Sequence, residues 1–144
     1  MGATNIDTEA SVRLRRGGHR VTPQRLMIHR LLRERGGHMS AEQVLRSLDS
    51  RLPGTSLPTV YATLELFGEL GLVRRVEAGL GATLFDPRTD PHQHAVCREC
   101  GRVEDLDAKI DTGGLLRAAR RAGFAADRAD AVVSGRCGAC RGEG

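Results

Sequence analysis

Residues 56–85 read SLPTVYATLELFGELGLVRRVEAGLGATLF, and the order of signals within them decides the fold. Ser56 ahead of Leu57-Pro58 marks a helix start: a hydroxyl that can accept from the first free amides, with proline in the first turn. Val60, Leu64 and Phe67 then recur at helical spacing as far as Gly71. Beyond it come two β-rich runs around a glycine-containing turn, which predicts a hairpin. Upstream, Thr22-Pro23 opens another helix, with Leu26, Ile28, Leu31 and Leu32 as its apolar face and Gly36-Gly37 as its stop. Ser40-Ala41-Glu42-Gln43 forms a capping box opening a helix with Val44, Leu45 and Leu48 inward, stopped by Pro53-Gly54. Three short helices and a hairpin follow the order of a winged helix-turn-helix. In that arrangement the third helix enters the major groove of double-stranded DNA and the hairpin lies along the backbone. The competing architecture is a small helical bundle with no nucleic-acid role.

Charge separates the two halves of the 144-residue chain. Residues 1–80 hold 12 basic and 8 acidic side chains and carry the whole net +4, whereas residues 81–144 hold 10 of each. Eight arginines and a single acid, Glu34, lie between Ser11 and Arg35. This asymmetry points to one half meeting a polyanion, the alternative being a solvated basic face. With aromatics at 3% and no Trp, platforms that stack single-stranded bases are excluded. No apolar run reaches the length of a membrane span, and MGATNIDTEA has no signal-peptide core, so the expectation is a soluble cytoplasmic chain with no membrane partner.

The second half turns on its cysteines. All four sit in two C-x-x-C pairs, Cys97/Cys100 and Cys137/Cys140, separated by 36 residues. Without an export signal, disulfides are disfavoured and the pattern reads as a closed tetrathiolate zinc site, structural rather than catalytic. Two redox-active pairs are the alternative. Strands flank the first pair over His94–Glu104, a helix is expected over Thr112–Ala122, a short strand at Ala131-Val132-Val133, and a frayed tail over Arg141–Gly144. His92 and His94 are two apart on an apparent strand and so share a face. His38, Asp86, Glu104 and Asp105 supply further donors elsewhere. Each histidine alone reads as an ordinary surface or core residue before it reads as a ligand. Together with the carboxylates they suit Fe(II), Mn(II), Ni(II) or Zn(II). A zinc hydrolase or deaminase would need an open site with a glutamate base, and no H-x-E accompanies a P-C-x-x-C here, so the chain is not expected to be an enzyme.

Four blocks in sequence order resemble the ferric uptake regulator family of metal-dependent bacterial repressors. They are Arg20-Val-Thr-Pro-Gln-Arg25, Pro58-Thr-Val-Tyr-Ala-Thr-Leu64 running on to Gly71-Leu-Val73, His92-Gln-His94-Ala-Val-Cys97-Arg-Glu-Cys100-Gly101, and Cys137-Gly-Ala-Cys140. The resemblance spans roughly residues 12–140. It implies an α+β chain: a winged-helix DNA-binding domain over 1–85, with 1–10 disordered, and a small α/β dimerisation and metal-binding domain over 86–144. It implies a homodimer on inverted-repeat operator DNA, one structural Zn2+ per subunit on the four cysteines, and one regulatory Fe2+ or Mn2+ at the junction. His38, Asp86, His92, His94 and Asp105 resemble the three-His, two-Asp set of the peroxide-sensing branch. By that resemblance bound Fe(II) reacts with hydrogen peroxide, His38 or His92 is oxidised, and the repressor leaves DNA, while Mn(II) represses yet resists peroxide. The runner-up within the family is an iron- or zinc-responsive uptake repressor.

On the DNA side, Tyr61 is the candidate for base contact, Thr59 and Thr63 for nearby phosphates, Arg20 for the minor groove or backbone, and Arg13, Arg15 and Arg16 for phosphates. Solvation is the alternative for each arginine. Ala62 stands where relatives often carry Arg or Asn. Gln93, and the absence of histidine over residues 127–134, argue against a third metal site.

Overall fold

The structure, a computed structural model, describes residues 2–77, 83–90 and 92–142. They divide between two units, 2–77 with 83–89, and 90 with 92–142.

The first unit opens with a helix that the sequence reading did not anticipate, α1 (Gly2–Arg16). Residues 1–10 were expected to be disordered; instead all but the first, which lies outside the described residues, belong to this helix. The reason is a narrow stripe at four-residue spacing, Ile6, Ala10 and Leu14, of which Ala10 and Leu14 are fully buried. Then come α2 (Pro23–Arg35), α3 (Ala41–Leu48) and α4 (Leu57–Glu69). Their ends follow the local chemistry. Thr22 Oγ1 accepts from the Arg25 amide, and Gly36 closes α2 in the left-handed conformation at φ 67°. The capping box at α3 is reciprocal, with Gln43 N–H donating to Ser40 Oγ and Ser40 N–H to Gln43 Oε1. Ser56 caps α4. Strands β1 (Arg74–Glu77) and β2 (Thr83–Asp86) pair antiparallel, Arg74 opposite Asp86, and the turn of the expected hairpin lies outside the described residues. One apolar core joins these elements, built on Leu14, Ile28, Leu32, Val44, Leu48, Leu64, Phe67 and Phe85. Asp86, placed by the sequence reading at the head of the second domain, ends β2 inside this first unit.

Within that core sits an ionisable side chain. His29 on α2 is 1% exposed, and neither ring nitrogen has a hydrogen-bond partner among the described residues. Its ring meets Phe67 edge-on, 5.7 Å between centroids. Burial holds its pKa below 6.5; Glu9 and Asp7 on α1 oppose the shift and Arg33 on α2 adds to it. The unfolded chain therefore takes up this proton before the folded one does. The stability at stake is complete above pH 6.5 and declines as pH falls from there toward the folded-state pKa. Melting midpoints of wild type and His29→Leu from pH 7.5 to 5 should show a shallower acid decline in the variant. Parallel profiles would overturn this assignment.

The second unit is a three-stranded sheet in the order β4-β3-β5, with β3 (Gln93–Cys97), β4 (Val103–Leu106) and β5 (Val132–Gly135). β4 runs antiparallel and β5 parallel to β3. α5 (Gly113–Arg121) supplies the crossover, and α6 (Gly138–Arg141) is a single turn at the second cysteine pair, ending where the frayed tail was expected to begin. Its apolar interior is thin. Val96 and Cys97 are the buried hydrophobic residues among those described, α5 buries none, and Leu115, Phe124, Val132 and Val133 are exposed. No helix among the described residues is long and apolar enough to cross a membrane.

Candidate metal centres and DNA-facing surface

The four-sulfur cluster is assembled by sheet register. Cys97 ends β3, and the chain turns back through Gly101, at φ 77°, so that the Cys97 amide donates to the Arg102 carbonyl. The parallel pairing sets Cys97 beside Gly135 of β5, two residues before Cys137. The Arg98 N–H donates to the Gly135 carbonyl and the Cys137 N–H to Cys97 Sγ at 3.3 Å. All four Sγ atoms lie within 4.8 Å of one another, with Cys100 and Cys137 3.7 Å apart. Tetrahedral Zn–S bonds of about 2.3 Å require sulfurs roughly 3.8 Å apart, so the donor set fits zinc. The electrostatics of the sulfurs agree with a site built for a cation. The backbone amides of Cys100 and then Cys137 bring the Cys97 thiol down to about 6, while hydrogen bonds with Cys137, then Cys100 and Cys97, push Cys140 well above its usual range. Four sulfurs this close cannot all ionise without a positive charge among them.

Nitrogen and oxygen donors gather separately in each unit. In the first, Met39 and Phe85 exchange backbone hydrogen bonds of 3.1 and 2.8 Å as an isolated antiparallel bridge. The bridge sets the next residues, His38 and Asp86, opposite each other. His38 Nε2 lies 3.3 Å from Asp86 Oδ2, and the Asp86 side chain is 2% exposed. Its other oxygen accepts the Arg88 amide at 2.8 Å. In the second unit, β3–β4 register puts His94 directly across from Asp105. Nε2 of His92 and of His94 approach Asp105 Oδ1 at 3.4 and 3.5 Å, and the two rings are 4.6 Å apart. His92 Nδ1 is 2.8 Å from the Asp90 carbonyl. When that nitrogen donates, Nε2 keeps its lone pair toward the carboxylate, the tautomer a metal ligand needs. Glu104, one residue away, instead pairs with Arg102.

Around α4 the expected DNA contacts separate into two groups. Arg20, Thr59 and Thr63 line a groove of about 630 Å³ with His19, Arg25 and Ala62. Thr63 is buried and its hydroxyl donates to the Thr59 carbonyl at 3.0 Å, while Thr59 Oγ1 is 2.9 Å from Ser56 Oγ. Tyr61 does not line this groove. Its hydroxyl donates to Glu42 of α3 at 3.1 Å, which raises the phenol pKa. Arg13, Arg15 and Arg16 occupy the last turn of α1, and Arg13 is held at the Leu70 carbonyl. His19 and Arg25 were not among the candidates. The signal for Arg25 was its place in the Thr22-Pro-Gln-Arg25 run, one helical turn after the cap.

Residues 16–129 match the family described as the ferric uptake regulator family. The peroxide operon regulator of Bacillus subtilis is 37% identical over 98 residues, which is 68% of this chain and 68% of that protein. The peroxide-responsive repressor PerR of Staphylococcus epidermidis is 34% identical over 98 residues, 68% of this chain. The aligned part spans 65% of that relative, just under two thirds. Among solved structures, the Helicobacter pylori ferric uptake regulator superposes with a TM-score of 0.80 over 98% of this chain and 95% of its own, at 17% identity, a likeness of fold. The Pseudomonas aeruginosa ferric uptake regulator with manganese gives 0.67 over 89% and 97%, at 30% identity.

Proposed function

The chain belongs to the ferric uptake regulator family, and on that premise we propose that it is a metal-dependent transcriptional repressor that senses hydrogen peroxide. The observation that carries this reading is the pair of nitrogen–oxygen donor sets, His38 with Asp86 and His92 with His94 and Asp105, of which Asp86, His92 and His94 are buried, kept apart in chemistry from the four cysteines. We assign Cys97, Cys100, Cys137 and Cys140 to a structural Zn2+, and the five His and Asp residues to one regulatory Fe2+ or Mn2+. That ligand set draws on both units. Occupying it favours one angle between the DNA-reading and dimerising parts, a shift in population rather than a new contact with DNA. Fe(II) in such an oxygen- and nitrogen-donor set supplies electrons for peroxide reduction. Oxygen added to the His38 or His92 ring withdraws that donor, and the preferred angle is lost with it. The thiolates, committed to zinc, take no part.

A second copy of the chain is the partner for the exposed Val132, Val133, Leu115 and Phe124, since β5 ends the sheet and its outer edge meets no further strand among the described residues. A two-fold dimer reads an inverted repeat, with α4 in the major groove, Tyr61 toward the bases, and Arg20, Arg15 and Arg16 toward phosphates. Such a regulator works beside the chromosome, in the cytoplasm.

The test loads the dimer with Fe(II) or Mn(II), binds it to an inverted-repeat duplex, and adds hydrogen peroxide. The iron form should release DNA and gain one oxygen on the peptide bearing His38 or His92; the manganese form should do neither. If the iron form keeps DNA and gains no mass, metal level is the signal and the uptake-repressor reading replaces this one. Metal-independent DNA binding, or none, sinks both.

A further inference from the structure

How α4 is held depends on the N-terminal helix. Arg13 Nη1, in the last turn of α1, donates to the Leu70 carbonyl at 2.8 Å across 57 residues of sequence. Leu70 is the C-cap of α4. Its carbonyl belongs to the acceptors that a helix end leaves unpaired, at the negative pole of the helix dipole. α4 has no basic residue in its own last turn, so the complementary charge arrives from α1. The junction is close-fitting. A Cβ at Gly71, where φ is +74°, would stand 3.0 Å from Arg13 Nη1, and one at Gly17 would stand 2.7 Å from Leu70 Cδ2. Ala10 and Leu14 anchor α1 from below, and Asp7–Arg30 and Glu9–Arg33 pairs tie it to α2. Arg15 and Arg16, in the same turn, are exposed.

We infer that Arg13 is a positioning residue for DNA reading: it sets the direction of α4 through the Leu70 carbonyl, and is not a phosphate contact. The inference rests on the DNA-reading role proposed above. A phosphate contact and a positioning bond leave different marks. Loss of the first lowers the slope of log affinity against log salt by about one and weakens all sequences alike. Loss of the second leaves the slope and lowers discrimination, because base contacts depend on how the helix lies in the groove.

The experiment uses the full-length, metal-loaded dimer and a duplex enriched from random sequence by the wild-type protein, with a shuffled duplex as reference. Affinities are measured across a salt series for Arg13→Ala, Arg16→Ala and Gly17→Ala, and amide exchange is followed over residues 71–73. Arg13→Ala should cut the preference for the enriched duplex about fivefold at unchanged slope, and speed exchange at 71–73 by a similar factor. Gly17→Ala keeps every charge and meets only the far end of the Leu70 side chain, so it should leave slope and preference near wild type and controls for crowding at the junction. Arg16→Ala should lower the slope by about one and leave the preference intact. A slope change in Arg13→Ala with preserved preference, or unchanged exchange at 71–73, overturns the inference. If the wild type enriches no duplex, the DNA-reading role itself fails, and the exchange result still decides whether Arg13 holds the end of α4.

Discussion

Cys137→Ser is expected to release Zn(II) and to unfold residues 92–142 while residues 2–77 stay folded. The asymmetry follows from where apolar surface is buried. The core running from Ala10 to Phe85 belongs entirely to the first unit, whereas Val96 and Cys97 are the buried hydrophobic residues described in the second. Strands of four or five residues and a helix with no buried face cannot offset the chain entropy of more than fifty ordered residues. Structural zinc contributes on the order of 10 kcal/mol in small domains and is gained only on folding. Cys137 is a demanding test position because its amide also donates to Cys97 Sγ, joining the two pairs. Serine keeps that amide and a side chain of the same connectivity while removing one thiolate. Zinc content should fall from one per chain toward zero and amide protection should vanish over 92–142. Sedimentation should show monomer, with operator affinity down at least about 100-fold through loss of the two-fold partner. Retained zinc with a protected second unit would show that four-sulfur coordination is not what holds it. Rapid reaction of all four thiols in the zinc-loaded wild type would favour the redox alternative.

Much of this architecture could be read locally. Thr22-Pro23 and the Ser40–Gln43 box place helix starts because capping is a matter of three or four consecutive residues. The cysteine pairs announce themselves by spacing, and each follows a strand as expected. α1 escaped because Thr, Asn, Asp and Ser crowd its sequence and depress helix propensity, leaving its packed stripe as the signal. Thr63 could have been placed: it lies three residues after Val60 and four before Phe67, on the inward face. His38 and Asp86 could not be joined by any local rule. They are 48 residues apart and meet through the Met39–Phe85 bridge, a tertiary contact, so their residue types mark them as donors while only the family resemblance groups them into one ligand set. Arg13 looked like one more basic residue in an arginine-rich run; its acceptor on α4 is invisible in one dimension.

Asp86→Asn tests the proposed regulatory site at the position where binding and folding roles separate most cleanly. Asparagine has nearly the shape of aspartate. Its carbonyl oxygen can still accept the Arg88 amide, and its NH2 can donate to His38 Nε2 where the carboxylate now lies 3.3 Å away. The substitution therefore preserves the local hydrogen bonds and removes one buried negative charge. With these two contacts kept, the metal-free variant should melt close to the wild-type temperature. Metal binding should not be spared. Removing an anionic oxygen donor from an imidazole–carboxylate set should weaken Mn(II) affinity at least about 100-fold, beyond the 10–100-fold typical of residues that only orient ligands. The zinc content, set by sulfurs elsewhere, should stay at one per chain. With Mn(II) at concentrations that saturate the wild type, the variant should bind operator DNA only as the metal-free protein does. The combination is diagnostic because a purely structural Asp86 predicts the reverse, a lower melting temperature with unchanged Mn(II) affinity. Unchanged Mn(II) affinity alone removes Asp86 from the ligand set. It would also leave the first unit with His38 as its sole donor, too little to link metal occupancy to the position of the DNA-reading helices.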